Sequence, residues 1–276
     1  MKNIFRILAL ALIVAACARG AETLKLEPNA ILHFEFPDLP DTLETLASGE
    51  KQPAQLTAQL PENYSRDGKF PLCVYLDGGD GGRGDRPGIA RAIVGSTNFI
   101  CVNLPLFKRS YSTNDGALVS LDDFDTVSHA YRVMLQKLFE AVPNITAEHS
   151  AFGGFSNGAH TTALLIAGQD EFILHYFQAF YIAEGGSFLA ENTLQKESLK
   201  HCRFLFLHGD YAGSVPGTEP QGFLLLGRAI QYFAKEQNLD FTTIVMQNTE
   251  HDLPPKYMTI TGQWIRGEKL PVTETK

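Results

Sequence analysis

Cysteine is scarce in this chain. The 276 residues hold four, Cys17, Cys73, Cys101 and Cys202, and no spacing among them suggests a metal site. Cys73 and Cys101 both sit in apolar, strand-like runs, where a free cysteine behaves as a small buried hydrophobe; a disulfide between them is the alternative in an oxidising compartment. Long apolar runs are also missing, so no internal segment is long enough for a transmembrane helix. Positive charge is in deficit: 23 Lys and Arg stand against 31 Asp and Glu, a net −8, which argues against nucleic acid or an anionic membrane surface as a partner. There are no repeats and no low-complexity tract, and no glycine run carries the lysine of a phosphate loop. No metal or organic cofactor is called for, and oligomeric state is left open.

With 44% hydrophobic residues the composition is that of a globular chain large enough for a sizeable core. The first 20 residues stand apart. Lys2 and Arg6 precede an apolar stretch from Ile7 to Ala16, the layout of a secretion signal. Val14-Ala15-Ala16-Cys17 resembles a bacterial lipobox, in which Cys17 would be lipidated and become the mature N-terminus; cleavage after Ala18 or Gly20 is the competing reading. The expected location is secreted, periplasmic or attached to the outer membrane of a bacterium, with the N-terminal lipid as the membrane link. Either cleavage removes Lys2 and Arg6 and leaves a more acidic chain. Residues 21–276 are expected to form one α/β domain.

Within that domain, apolar stretches of strand length alternate with helix-compatible stretches. Strands are expected at Ile31–Phe36, Ala54–Leu60, Phe70–Leu76, Phe99–Leu104, Ser150–Phe152, Phe177–Ile182, Arg203–Leu207 and Phe241–Met246. Helices are expected at 87–95, 122–142, 159–167, 220–238 and 256–266, and Pro37–Pro53 reads as a loop. Several strands are apolar without alternation, as strands buried on both faces are. The pattern implies about eight strands in a mostly parallel sheet, with helices on both faces. Segments 104–121 and 184–200 are long enough to act as lids, and Arg109, Tyr111 and Phe188 in them are candidates to line a cleft or to serve as ordinary loop residues.

The chemistry centres on Gly154-Phe155-Ser156-Asn157-Gly158, a G-x-S-x-G run that follows a strand-like segment and opens a helical one. Chance alone would give roughly 0.09 such matches in a chain of this Ser and Gly content. In that context the run reads as a nucleophile elbow, where a sharp turn lifts the serine hydroxyl out of the backbone. A serine nucleophile needs a base, and the base needs a carboxylate behind it. His251 follows the last strand, at the sheet edge where such sites lie. The developing oxyanion needs two backbone amides. Asn157 is the candidate for one, and Gly79, in the Asp77–Gly82 glycine loop after the third strand, for the other.

These pieces together resemble the α/β-hydrolase esterases, specifically the secreted feruloyl-esterase and polyhydroxyalkanoate-depolymerase-like group. The matching segments are Pro71–Gly79, the helix from Asp122, Gly153–Ala159, the stretch from Leu207-His208-Gly209 to Val215-Pro216, and Glu250–Pro254. The resemblance spans about residues 54 to 266. It implies the α/β-hydrolase fold and hydrolysis of a small-molecule or polymeric carboxylic ester through an acyl-serine intermediate. It also implies Ser156 as nucleophile and His251 as base. Two positions depart from the family. Asp77 stands where the family has histidine. Ala212 stands where the family places its acid, three residues after the glycine of His-Gly. Asp210, two residues early, is the favoured acid; Glu184, with Gly185-Gly186 beside it, is the alternative; the absence of any acid is the third case. That third case would fit a catalytically weak or inactive binding or envelope protein on the same fold. A peptidase using the same residues is a weaker reading.

Overall fold

The structure is a computed structural model that describes residues 24–112, 118–190, 197–212 and 221–270. The signal segment and Cys17 lie outside the described residues, as do parts of both candidate lids. Eight strands form one sheet in the order β1-β2-β4-β3-β5-β6-β7-β8. They are β1 (Ile31–Phe36), β2 (Ala54–Gln59), β3 (Phe70–Leu76), β4 (Ile100–Leu104), β5 (Ile145–Phe155), β6 (Ala179–Ala183), β7 (Arg203–Gly209) and β8 (Asp240–Met246). The β1/β2 and β2/β4 pairs are antiparallel, and every pair from β4/β3 to β7/β8 is parallel.

The helices are α1 (Leu43–Ser48), α2 (Gly88–Val94), α3 (Phe124–Ala141), α4 (Asn157–Ala167), α5 (Glu171–Tyr176), α6 (Gln221–Glu236) and α7 (Pro255–Ile265). They cover both faces of the sheet. Along β3, Leu72, Val74 and Leu76 join one core layer while Cys73 and Tyr75 join the other. The same split runs through β6, with Phe180 and Ile182 against Ala179, Tyr181 and Ala183, and through β7, with Phe204 and Phe206 against Leu205 and Leu207. Side chains alternate across a strand, so a sheet packed on both faces demands apolar residues at every position. The first layer includes side chains from α3, α4, α5 and α6, and the second those of α2 and α7. The three described cysteines are buried free thiols; Cys73 and Cys101 face each other across the β3/β4 pair.

Three local features differ from the sequence expectation. The loop expected at 37–53 contains α1, a helix of under two turns whose N-cap Thr42 accepts a hydrogen bond from the Thr45 amide. The α5 turn, capped by Asp170 through the Ile173 amide, was not anticipated, because six residues are too few to show a helical period. The third is β5, which begins at Ile145 rather than Ser150. Its first half is polar and partly exposed, and the β3/β5 register breaks between Pro71 and Cys73, with His149 at φ 63°. Hydrogen bonding to β3 extends past the apolar segment that marks the buried part of the strand.

Parallel strands put all their C-terminal ends on one edge. Leu76, Phe155, Ala183, Gly209 and Met246 end β3, β5, β6, β7 and β8 there, and every candidate chemical residue lies within a few positions of one of them.

Candidate active site

The turn from β5 into α4 is made by Ser156 alone. Its backbone sits at φ 52°, ψ −117°, a conformation that costs a residue with a side chain on the order of 1–3 kcal/mol. Neighbouring groups hold it: the Ser156 amide donates to the Ala183 carbonyl at 2.9 Å and its carbonyl accepts from the His160 amide at 2.9 Å. The turn is tight enough that a Cβ on Gly158 would run into the Leu76 carbonyl, and one on Gly154 would meet the same oxygen. The two glycines of the motif are therefore required by the close approach of β3 to the elbow. Asn157 is the first residue of α4, so its amide is among the helix N–H groups with no intrahelical acceptor.

His251, in the loop between β8 and α7, points Nε2 at Ser156 Oγ across 2.9 Å. Its ring packs against two phenyl rings, Phe223 of α6 at 4.6 Å and Phe155 at 4.9 Å between centroids. Its Nδ1 faces Glu184 Oε2 at 3.4 Å. With Nδ1 protonated, Nε2 is free to accept from the serine hydroxyl, the tautomer that the two hydrogen-bond partners favour.

Glu184 is the residue that directly follows β6. Its side chain is 0% exposed, its backbone has φ 53°, and its amide donates to the Leu207 carbonyl at 2.9 Å. The Gly209 amide donates to Oε1 and the Tyr211 hydroxyl to Oε2. A carboxylate taken fully out of water needs such donors.

Asp210, the favoured acid in the sequence, is not the carboxylate at His251. Its Oδ1 accepts from the Ala212 amide at 3.2 Å and the Thr249 amide at 3.3 Å, and it forms no ion pair with the histidine. The reason is geometric. Asp210 still hydrogen-bonds through its amide to the Met246 carbonyl at 3.0 Å, so its backbone continues the β7/β8 pairing and its carboxylate caps the turn that leads to His251. Bringing it to His251 would require that turn to open. Glu184, the alternative, emerges one strand closer to the nucleophile and has the longer side chain.

The glycine loop after β3 abuts the elbow. A Cβ on Gly78 would lie 3.1 Å from that of Ser156. The Gly78 amide is taken by Asp77 Oδ1 at 2.9 Å, whereas no described residue accepts from the Gly79 amide. Gly79, at φ 62°, accepts through its carbonyl from Asn157 Nδ2 at 2.7 Å. The two candidate oxyanion residues are thus bonded to each other, and Asp77 occupies itself with the loop and, at 3.8 Å, with Arg86.

A second histidine lies behind the site. His160, one turn into α4, is 6% exposed, and its Nδ1 accepts from the Gly186 and Ser187 amides at 3.2 and 3.1 Å. Burial, with a smaller contribution from His251, lowers its pKa from 6.5 to about 4. Among the cleft candidates, Arg109 is exposed with its amide on Asp123 at 2.7 Å, Tyr111 is 38% exposed, and Phe188 packs against the core. Among the described residues no group of His, Cys, Asp and Glu is arranged to hold a metal ion, and no helix is long and apolar enough to cross a membrane.

Sequence reasoning did not find Tyr211, Gly209 or Phe223. The Gly185-Gly186 pair was the one available signal for the Glu184 turn: a Cβ on Gly185 would press on the Ser156 carbonyl, so that glycine reports how closely the chain after β6 passes the elbow.

No protein-family model matches the chain, and no curated protein sequence matches it. Solved structures do. A poly(3-hydroxybutyrate) depolymerase from Bordetella parapertussis superposes with a TM-score of 0.55 at 16% identity, over 89% of this chain and 91% of that one. A CE1 ferulic acid esterase from Anaeromyces mucronatus gives 0.54 at 13% identity, over 90% and 93%. An acylaminoacyl peptidase from Pyrococcus horikoshii gives 0.53 at 14% identity, over 91% of this chain but 43% of that one. The likeness is one of fold: this chain has the α/β-hydrolase fold.

Proposed function

We propose that the protein is a serine-dependent carboxylic-ester hydrolase acting through an acyl-serine intermediate. One observation carries the reading: Ser156, on a strained elbow, faces His251 at 2.9 Å, and His251 is backed at 3.4 Å by the buried carboxylate of Glu184. The arrangement is a nucleophile, a base and an acid in line, which is recognised by geometry and roles rather than by sequence position.

In this reading Ser156 Oγ attacks the ester carbonyl carbon while His251 Nε2 takes its proton. The carbonyl oxygen becomes an oxyanion, held by the amides of Asn157 and Gly79. Collapse breaks the bond to the alcohol oxygen, which leaves with the proton from His251. Water then attacks the acyl-serine, again giving its proton to His251. The second collapse releases the carboxylic acid and returns the proton to Ser156. Glu184 keeps Nδ1 protonated and stabilises the imidazolium that forms twice per cycle.

Placement of Glu184 supports the enzyme over a non-catalytic binding protein on this fold, since the departure at Ala212 leaves the histidine with a partner. The experiment is hydrolysis of p-nitrophenyl acetate and longer p-nitrophenyl esters by the mature chain and by Ser156→Ala. Esterase activity in the first and background rates in the second are expected; equal background rates in both would reject the reading. A feruloyl ester, an acetyl-sugar ester and a hydroxyalkanoate oligomer added to that panel would separate the substrate classes.

A further inference from the structure

Tyr211 hands its phenolic hydrogen to the same carboxylate oxygen, Glu184 Oε2, that faces His251 Nδ1. We propose that Tyr211 is a positioning residue for the acid, orienting the Glu184 carboxylate toward His251; the proposal rests on the reading of Glu184 as the acid. Nothing in the G-x-S-x-G pattern or in the family's acid motif requires a tyrosine here, and in this chain it falls one residue after the aspartate that sequence reasoning favoured.

The acid starts from β6 and has to pass under the end of β7 to reach His251, which follows β8. Its carboxylate is fully buried on that path. Two donors fix it there, one on each oxygen: the Gly209 amide on Oε1 and the Tyr211 hydroxyl on Oε2. Two donors on different oxygens define the plane of a carboxylate, and the remaining lone-pair direction of Oε2 is the one available to His251. Charge-assisted bonds of this kind are about twice as strong as neutral ones.

Tyr211 is itself held for the purpose. It is 4% exposed and sits at φ 51°, where a bulky residue is uncommon. Its amide donates to the Thr249 carbonyl at 3.1 Å. Asp210 closes the same link from the other side by accepting from the Thr249 amide. Thr249 lies two residues before His251. The turn after β7 therefore ties the acid and the histidine loop together: Asp210 and the Tyr211 backbone grip the loop, and the Tyr211 side chain grips the acid. Burial, with the bond to Glu184 adding to it, raises the Tyr211 hydroxyl well above its ordinary pKa, so it remains a donor across the working range of an esterase.

The test is a double-mutant cycle on one p-nitrophenyl ester, with Tyr211→Phe and Glu184→Gln made singly and together. Phenylalanine keeps the ring and removes the hydrogen bond. Tyr211→Phe is expected to lower kcat roughly 10- to 100-fold, the loss of a hydrogen bond to a charged group, with KM within about two-fold. In the Glu184→Gln background the same change is expected to alter kcat by less than about two-fold. An equal loss in both backgrounds, or no loss in either, overturns the role of Tyr211 while leaving Glu184 as the acid. If Glu184→Gln itself is fully active, the acid reading falls and the Tyr211 inference falls with it. A thermal melt accompanies each variant. Should Glu184→Gln not fold, the His251 Nδ1 proton, read by NMR in the wild type and in Tyr211→Phe, decides the matter: a downfield resonance that is lost or moves upfield in the variant supports the proposal, and an unchanged resonance overturns it.

Discussion

Glu184 and His251 are 67 residues apart in the chain and 3.4 Å apart in space, and the contact crosses the end of β7, the strand that lies between β6 and β8. The carboxylate that faces His251 thus comes from one strand nearer Ser156 than the motif resemblance implies. The segment after β7 holds that carboxylate through Gly209 and Tyr211 and braces the histidine loop through Asp210.

Replacing Ser156 should separate activity from stability. At φ 52°, ψ −117° a glycine is free of the strain that serine bears. Ser156→Gly is therefore expected to lose turnover by about 10⁶-fold, as nucleophile removal does in the well-studied serine hydrolases, while unfolding at about 1 kcal/mol higher free energy. Urea melts of wild type and variant measure the second quantity directly; a destabilised variant would show that the elbow is not strained.

Acid should weaken the fold in a defined window. The folded-state pKa of His160 is lowered from 6.5 to about 4, first by burial and then by His251. His208, 3% exposed with its Nδ1 unpartnered, is also lowered, by burial first, against the opposing pull of Glu184. Between pH 6.5 and about 4 the unfolded chain takes up a proton that folded His160 refuses, so stability falls as pH drops through that range, and His208 acts in the same direction. For His160 alone the loss approaches about 3 kcal/mol by pH 4 and then levels off. His160→Asn, whose Oδ1 can stand in for Nδ1 as acceptor, should flatten the slope. Chemical melts at several pH values check both curves.

Much of this arrangement could be seen in the sequence. The elbow was visible because its small residues are enforced by contact with Leu76, and His251 because the last strand ends at the active edge. The alternation of apolar strands and amphipathic helices displayed the parallel sheet. The carboxylate partner of His251 was hidden for a physical reason: Asp210 and Glu184 both follow strands at the same edge, and the choice depends on which backbone still belongs to the sheet. Asp210 pairs with β8 through its amide, which leaves no mark on residue identity, and Glu184 turns at positive φ, marked only by the Gly185-Gly186 pair beside it. Tyr211 and Phe223 were hidden because a buried tyrosine and a helix phenylalanine look like core until their partners are known. The polar first half of β5 was missed because its hydrogen bonds, rather than its burial, make it a strand.

Attachment at the N-terminus is a separate proposal, resting on Val14-Ala15-Ala16-Cys17. If Cys17 is lipidated, the full-length protein expressed in a bacterium should fractionate with membranes, and Cys17→Ser should release it or block its processing. Mass spectrometry of the mature N-terminus reads the outcome; an unmodified terminus at residue 19 or 21 would show a soluble secreted protein instead.

The central claim is that Ser156, His251 and Glu184 act as one unit, with Asp210 in a structural role. It is tested most directly by kcat for Glu184→Gln and Asp210→Asn on a single p-nitrophenyl ester. Asparagine retains the oxygen that accepts from the Ala212 and Thr249 amides, so Asp210→Asn should keep kcat within a few-fold of wild type. Glu184→Gln should lower it by about 10⁴-fold, the loss seen when a triad acid is made neutral in place. The opposite order, with Asp210→Asn inactive and Glu184→Gln near wild type, would contradict the account.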